Sequence, residues 1–180
     1  MKNFEDIPLL ITSSVHPSTN VKLKNSKDRL MQYKSSVYRW AVETSFNKLV
    51  IIDNTNTKIL SQYEIDQFDD FGVKVEQICT LGNQEIKTRG TSFGISQIYE
   101  TALSQSQLIN DNTHFAKVTG RLFVENTEDL ISNIEDEASY LIRWLNKGAF
   151  RFKPGRFDER FAVYNREFYI KKFLPLITEM

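Results

Sequence analysis

The chain has one cysteine, Cys79, and two histidines, His16 and His114. A single thiol cannot close an intrachain disulfide, and zinc sites built on cysteine pairs are excluded with it. Neither histidine has a second histidine or a carboxylate at ligand spacing, so both read as structural. Seven glycines and four prolines in 180 residues leave no Pro/Gly-rich linker, and no repeat or low-complexity tract is present. Charge of one sign is not in excess: 23 Lys+Arg balance 23 Asp+Glu. Bulk charge therefore cannot drive nucleic-acid binding, although a local basic pocket is still open. No run of about 18 apolar residues occurs, so no membrane span is expected. The N-terminus Met1-Lys2-Asn3-Phe4-Glu5-Asp6 has no basic region followed by an apolar stretch and does not read as a secretory signal. The class that remains is a cytoplasmic globular protein, or one that works at the inner face of a membrane through a partner.

The positive signals describe one domain over residues 1–180. The short run Ile7-Pro8-Leu9-Leu10-Ile11, followed by Thr12-Ser13-Ser14, reads as a buried strand leading into a loop. Leu30, Tyr33, Val37, Trp40 and Ala41 recur at three- and four-residue steps, which predicts a one-sided helix over 27–43 capped by Asn25 or Ser26. Leu49-Val50-Ile51-Ile52 ends in Asp53, the pattern of a strand buried on both faces of a parallel sheet. A short helix is predicted over 58–68, a strand over 73–79, a loop over 81–91, and a second strong helix over 94–106. His114 to Val118 reads as a strand running into Thr119-Gly120-Arg121. Strands alternating with helices imply an α/β fold, a mostly parallel Rossmann-like sheet flanked by helices. In the last third, Thr127 is expected to cap a helix, 138–145 and 161–164 to be strands, and Asn165 to cap a closing helix over 166–177. That helix carries Phe168, Tyr169, Phe173 and Leu174. Its broad apolar surface is expected to pack on a protein partner or a second copy, or else the chain is a shortened member of a longer type.

Ligands of open α/β sheets bind at the carboxyl ends of the strands. Four polar clusters follow strands here: Thr12-Ser13-Ser14, Asp53-Asn54-Thr55, Lys87-Thr88-Arg89-Gly90 with Gly94, and Lys117-Val118-Thr119-Gly120-Arg121. Asp53 can accept hydrogen bonds from a ribose hydroxyl or a base N–H, or it can cap the turn that follows it. The Gly90–Gly94 stretch lets a backbone approach a phosphate at a helix start, with Lys87 and Arg89 beside it; it also reads as an ordinary helix start, because its spacing matches no phosphate-binding motif. Lys117 and Arg121, with Thr119, can neutralise a diphosphate without a metal, or lie on the solvated face of an alternating strand. Asp158 or Glu159 can deprotonate an acceptor hydroxyl, or pair with Arg156 or Arg160 at the surface. Cys79 has no base beside it in sequence and reads as a small core residue.

The segment Asp28-Arg29-Leu30…Gln32-Tyr33, the strand ending Asp53-Asn54, the glycines at 90 and 94, and above all Phe115-Ala116-Lys117-Val118-Thr119-Gly120-Arg121-Leu122 resemble bacterial glycosyltransferase-like proteins of capsule and lipopolysaccharide biosynthesis. Asp158-Glu159-Arg160-Phe161…Arg166-Glu167-Phe168-Tyr169 is similar to their C-terminal portion. The resemblance covers most of the chain in order and implies a GT-A-like nucleotide-sugar fold. It implies transfer of a sugar from a nucleotide-sugar donor to a glycan acceptor, with Asp53 at the nucleoside. Where that fold carries an Asp-x-Asp metal motif, this sequence has Lys-x-Thr-Gly-Arg at 117–121. The departure removes the usual basis for Mg or Mn dependence, so no metal cofactor is expected. The alternative is a non-catalytic α/β binding or assembly protein that keeps the scaffold.

Overall fold

The computed structural model of the chain describes residues 7–17, 21–82, 86–132, 140–144 and 157–178. Its aliphatic runs form strands β1 (Leu9–Ser13), β2 (Lys48–Asp53), β3 (Lys74–Cys79) and β4 (His114–Thr119). Between them lie α1 (Ser26–Glu43), α2 (Gln62–Asp70), and the group α3 (Ile86–Arg89), α4 (Thr91–Gln105) and α5 (Gln107–Asn110). Then come α6 (Thr127–Ser132), β5 (Tyr140–Trp144) and β6 (Phe157–Asn165). The described chain closes with α7 (Arg166–Phe168), a π-helical turn (Tyr169–Phe173) and α8 (Leu174–Thr178). The strands make one sheet in the order β3-β2-β1-β4-β6-β5. β1 pairs parallel with β2 and β4, and β2 pairs parallel with β3. β6 runs antiparallel to both of its neighbours, so it alone opposes the other strands. The fold is α/β and Rossmann-like, as the alternation of buried runs and amphipathic stripes predicts.

Each face of the sheet has its own core layer. On one face Leu9, Ile11, Leu49, Ile51, Ala116 and Val118 pack under Tyr33, Val37 and Trp40 of α1 and Phe68 of α2. On the other, Leu10, Val50, Ile52, Phe115 and Tyr164 pack under Ile98, Tyr99, Ala102 and Leu103 of α4 and under Tyr169. Strands covered on both sides must be apolar on both sides, which is why β2 reads as a continuous aliphatic run. Trp40 is wholly buried and donates its indole N–H to the Leu122 carbonyl at 3.0 Å. That bond settles the polar tip of a residue buried for its apolar area.

Local chemistry fixes the helix starts. Asn25 Oδ1 accepts from Lys27 N at 2.9 Å, so Asn25, not Ser26, is the cap of α1. α2 starts at Gln62 rather than near Lys58, because Ser61 and Glu64 form a capping box. The loop expected over 81–91 contains α3 in its described part. α4 begins at Thr91 behind Gly90, so Gly94 lies inside the helix rather than at its start. A Cβ at Gly94 would collide with the Ile86 side chain, and the glycine is there to let α3 pack on α4. Thr127 is the first residue of α6 and not its cap. β6 is longer than 161–164 and includes Asp158. Asn165 caps α7 through Phe168 N at 3.0 Å, but the closing helix changes to π geometry at Tyr169. That ring lies among Tyr99, Phe115, Tyr164 and Phe173.

The carboxylate of Glu64 braces α2 against α1. It accepts from Ser61 N at 2.9 Å and Tyr38 Oη at 2.9 Å, and it pairs with Lys34 at 2.6 Å. Burial pushes its pKa upward, but the hydrogen bonds from Lys34, Ser61 and Tyr38 outweigh burial and hold it at about 2. A folded value below the unfolded value of about 4.3 means that the brace stabilises fully above that pH and is lost as pH falls through the folded value. Acid unfolding followed by circular dichroism should therefore show a stability slope between about pH 4.3 and the folded value. Glu64→Gln should flatten that slope; an unchanged profile would place the acid-sensitive group elsewhere.

Candidate functional site

The strand order turns around at β1. β2 and β3 extend the sheet to one side of it, and β4 extends it to the other. A crevice opens beyond the carboxyl ends of strands at such a switch point. The residues at this edge are Thr12 and Ser13 of β1, Asp53 and Asn54 at the end of β2, and Thr119, Gly120 and Arg121 at the end of β4. Gly120 N donates to the Thr12 carbonyl at 2.8 Å. A Cβ at Gly120 would collide with that carbonyl and press on the Tyr33 ring, so only glycine lets β4 close this tightly on β1.

Asp53 is 1% exposed, and its carboxylate is fully occupied. Oδ2 accepts from Ser13 Oγ at 2.9 Å and Val15 N at 3.0 Å. Oδ1 accepts from Thr55 N at 2.7 Å, Thr55 Oγ1 at 2.5 Å and Thr57 N at 3.2 Å. Of the two roles open to Asp53 in the sequence, turn capping is the one this geometry displays. It also ties the loop after β1 to the loop after β2. Beside it, Arg29 is buried and spans the β1–α1 loop. Its Nε donates to the Ser14 carbonyl at 2.8 Å, Nη1 to the Leu23 carbonyl at 3.2 Å and Nη2 to Tyr33 Oη at 2.8 Å.

Side-chain alternation divides the edge into two faces. Asp53 and Ser13 continue the α1 face, on which Ile11 and Ile51 lie. Arg121 joins that face: it is exposed, its Nη1 donates to Gln32 Oε1 at 2.9 Å, and its guanidinium carbon lies 5.8 Å from the Tyr33 ring centroid. Thr12, Lys117 and Thr119 continue the α4 face. Lys117 is in register with Leu10 and Ala162, is 7% exposed, and its Nζ lies 5.9 Å from the Tyr99 ring centroid of α4. Lys117 and Arg121 thus sit on opposite faces of the sheet rather than side by side. Thr12 is half-buried, with Oγ1 3.4 Å from the Val118 carbonyl, and Thr119 is exposed.

The remaining residues singled out in the sequence do not all share this edge, and His114 begins β4 at the opposite one. Gly90 has φ 88°, a left-handed conformation that glycine adopts freely, and no side chain caps α4 there. Arg89 lies against Phe93, 3.6 Å from its ring centroid, at the start of α4. The side chains of Lys87, Thr88 and Asp158 lie outside the described residues. The backbone of Asp158 is placed by register: β6 pairs Phe161 with Val118 in the antiparallel sense, so the start of β6 lies at the carboxyl edge of β4. Cys79 ends β3; burial first, and then the charge of Asp53, push its thiol pKa up, which keeps it protonated at neutral pH. Ser26 Oγ lies 2.8 Å from His16 Nδ1, and Thr113 Oγ1 lies 3.0 Å from His114 Nδ1. Among the described residues, no group of three or more His, Cys, Asp or Glu is placed to hold a metal ion. An ammonium and a guanidinium at 117 and 121 do not ligate cations. Arg29, Gln32 and Tyr33 join the edge through side-chain hydrogen bonds that no sequence motif marks; the Arg29–Tyr33 spacing of four on one helix face is the one signal of them.

No protein-family model and no curated protein matches the chain.

If the Asp53 carboxylate is structural, Asp53→Ala should unfold in urea with a loss of about 3 kcal/mol, the scale for removing a buried, multiply bonded charged acceptor. Wild-type stability in that variant would show a carboxylate that the loops do not need.

Proposed function

We propose that the chain is a glycosyltransferase that moves a sugar from a nucleotide-sugar donor to a bacterial surface polysaccharide or lipopolysaccharide acceptor. One observation supports this reading: the polar ends of β1, β2 and β4 meet at the switch-point edge of the sheet, with Arg121 exposed there and the start of β6 at the same edge. Arg121 meets the donor diphosphate in this scheme. Asp158 takes the proton from the acceptor hydroxyl as its oxygen bonds to the anomeric carbon, and the bond from that carbon to the diphosphate breaks. The nucleoside diphosphate leaves with the electron pair, and its growing charge is met by a cation already in place. Lys117 contributes positive potential from the other face. Asp53 acts indirectly by fixing the two loops that border the donor. In this reading Arg121, with Lys117 at longer range, takes the part that a divalent metal would otherwise play, so the reading needs no metal.

A second reading, a non-catalytic assembly protein, has its own observation. A groove of about 360 Å³ lies between α1 and α2, lined by Tyr38, Ala41, Val42, Phe68, Phe71 and Val73. Val42 and Phe71 are 75% and 83% exposed at its rim.

A thermal-shift screen against nucleotides and nucleotide sugars separates the two. A ligand at 100 times its dissociation constant should add about 2.7 kcal/mol. In the transferase reading a nucleoside diphosphate binds, and binding persists in chelator. Arg121→Ala should weaken the diphosphate by roughly 1.5–3 kcal/mol while leaving the bare nucleoside unchanged. Absence of any nucleotide shift in the wild type favours the assembly protein. Loss of binding in chelator would require a metal held by other residues.

A further inference from the structure

Asn54 follows Asp53 directly, and its chemistry is the reverse. It is 4% exposed, and its Oδ1 is buried with no hydrogen-bond partner. An orphaned buried acceptor is costly to folding and uncommon in a native interior. The backbone does not share the deficit: Asn54 N donates to the Ser13 carbonyl at 3.2 Å, extending the β1–β2 ladder by one residue. Val50 and Ile52 face α4, so continued alternation carries Asn54 to the α4 face, along the edge that also bears Thr12, Lys117 and Thr119. A second orphaned amide oxygen, Gln97 Oε1, belongs to α4 itself and lies against Gly82, just beyond β3. The α1 face of the same edge is the opposite case, with every Asp53 lone pair in use.

Resting on the nucleotide-sugar reading above, we infer that the Asn54 side-chain amide reads the nucleobase of the donor, on the α4 face of the carboxyl edge. A side-chain amide presents an acceptor and a donor in one plane, the complement of a base edge that carries a ring or exocyclic N–H beside a carbonyl or ring nitrogen. A base N–H supplies the bond that Oδ1 lacks. The amide turns toward the ligand at little polar cost, because its oxygen gives up no hydrogen bond in doing so. Ribose hydroxyls could satisfy the same acceptor, but they use only half of the amide.

The test is titration calorimetry on the wild type, Asn54→Leu and Asn54→Ala with UDP, GDP, ADP, ribose 5-phosphate and inorganic pyrophosphate, alongside urea unfolding of the free proteins. The wild type should bind one of the nucleotides at least tenfold more tightly than ribose 5-phosphate. Both variants should lose at least tenfold for that nucleotide and keep pyrophosphate within twofold. Free Asn54→Leu should be no less stable than the wild type, since it removes an unsatisfied acceptor; if it does not fold, Asn54→Ala decides the binding arm. Nucleotide affinity within twofold of wild type in the variants overturns the assignment of Asn54 while leaving the transferase reading intact. So does an equal loss for pyrophosphate, or equal wild-type affinity for ribose 5-phosphate. A wild type that binds none of the three nucleotides overturns both.

Discussion

The carboxyl edge of this sheet depends on one buried carboxylate. Parallel strands leave their loops with backbone N–H groups that no neighbouring strand satisfies, and a short loop cannot turn back without settling them. Asp53 supplies acceptors for Val15, Thr55 and Thr57 N–H groups and for the hydroxyls of Ser13 and Thr55. A serine or asparagine there would have fewer lone pairs and no charge to strengthen the bonds. The loops after β1 and β2 are therefore set by the same group. Arg29 extends this scaffold by bonding the carbonyls of Ser14 and Leu23, one at each end of the β1–α1 loop.

That scaffold separates building from binding. The α1 face of the edge is consumed by internal hydrogen bonds up to Tyr33, whose hydroxyl accepts from both Ser14 N and Arg29. Arg121 stands beyond it at the surface, fixed by Gln32. On the α4 face Asn54 is left unsatisfied. Lys117 lies on the same face, 7% exposed and beside the Tyr99 ring. The unpaired Asn54 oxygen is held there at a cost to folding. Residues kept at a cost to folding mark where function is to be sought.

The fold was legible because burial writes itself into periodicity. β1, β2, α1 and β4 follow from aliphatic runs and from the stripe of Leu30, Tyr33, Val37 and Trp40. Where an element's bounds came from side-chain hydrogen bonds, periodicity missed them: the Ser61–Glu64 box moved the start of α2, and the π turn at Tyr169 answers to ring packing rather than to sequence spacing. The site was legible in position but not in roles. The sequence placed Thr12, Asp53, Thr119 and Arg121 at one edge, since strand ends are visible in it. It could not show that Lys117 and Arg121 lie on opposite faces, because a glycine and a turn intervene and break the alternation that would relate them. Nor could it show that Asp53 is saturated and Asn54 is not. Both are polar residues after a strand, and only the three-dimensional accounting of donors tells them apart.

The reversal of β6 has a consequence for any chemistry at this edge. After a parallel strand the chain must cross back before the next begins, so each parallel strand delivers only its carboxyl end, with the loop that follows, to the crevice. β6 runs the other way beside β4, in register from Phe161 opposite Val118 to Asn165 opposite His114. It therefore presents its beginning, not its end, to the same edge. The backbone at Asp158 is at that edge for this reason, more than a hundred residues after Asp53. The same reversal sends Asn165 to the opposite edge, where Arg166 N bonds the Thr113 carbonyl and α7 begins. From there the π turn carries Tyr169 back under α4, against Tyr99. One antiparallel strand thus brings a late acid to the polar edge and returns the chain's last aromatic residues to the core that supports it.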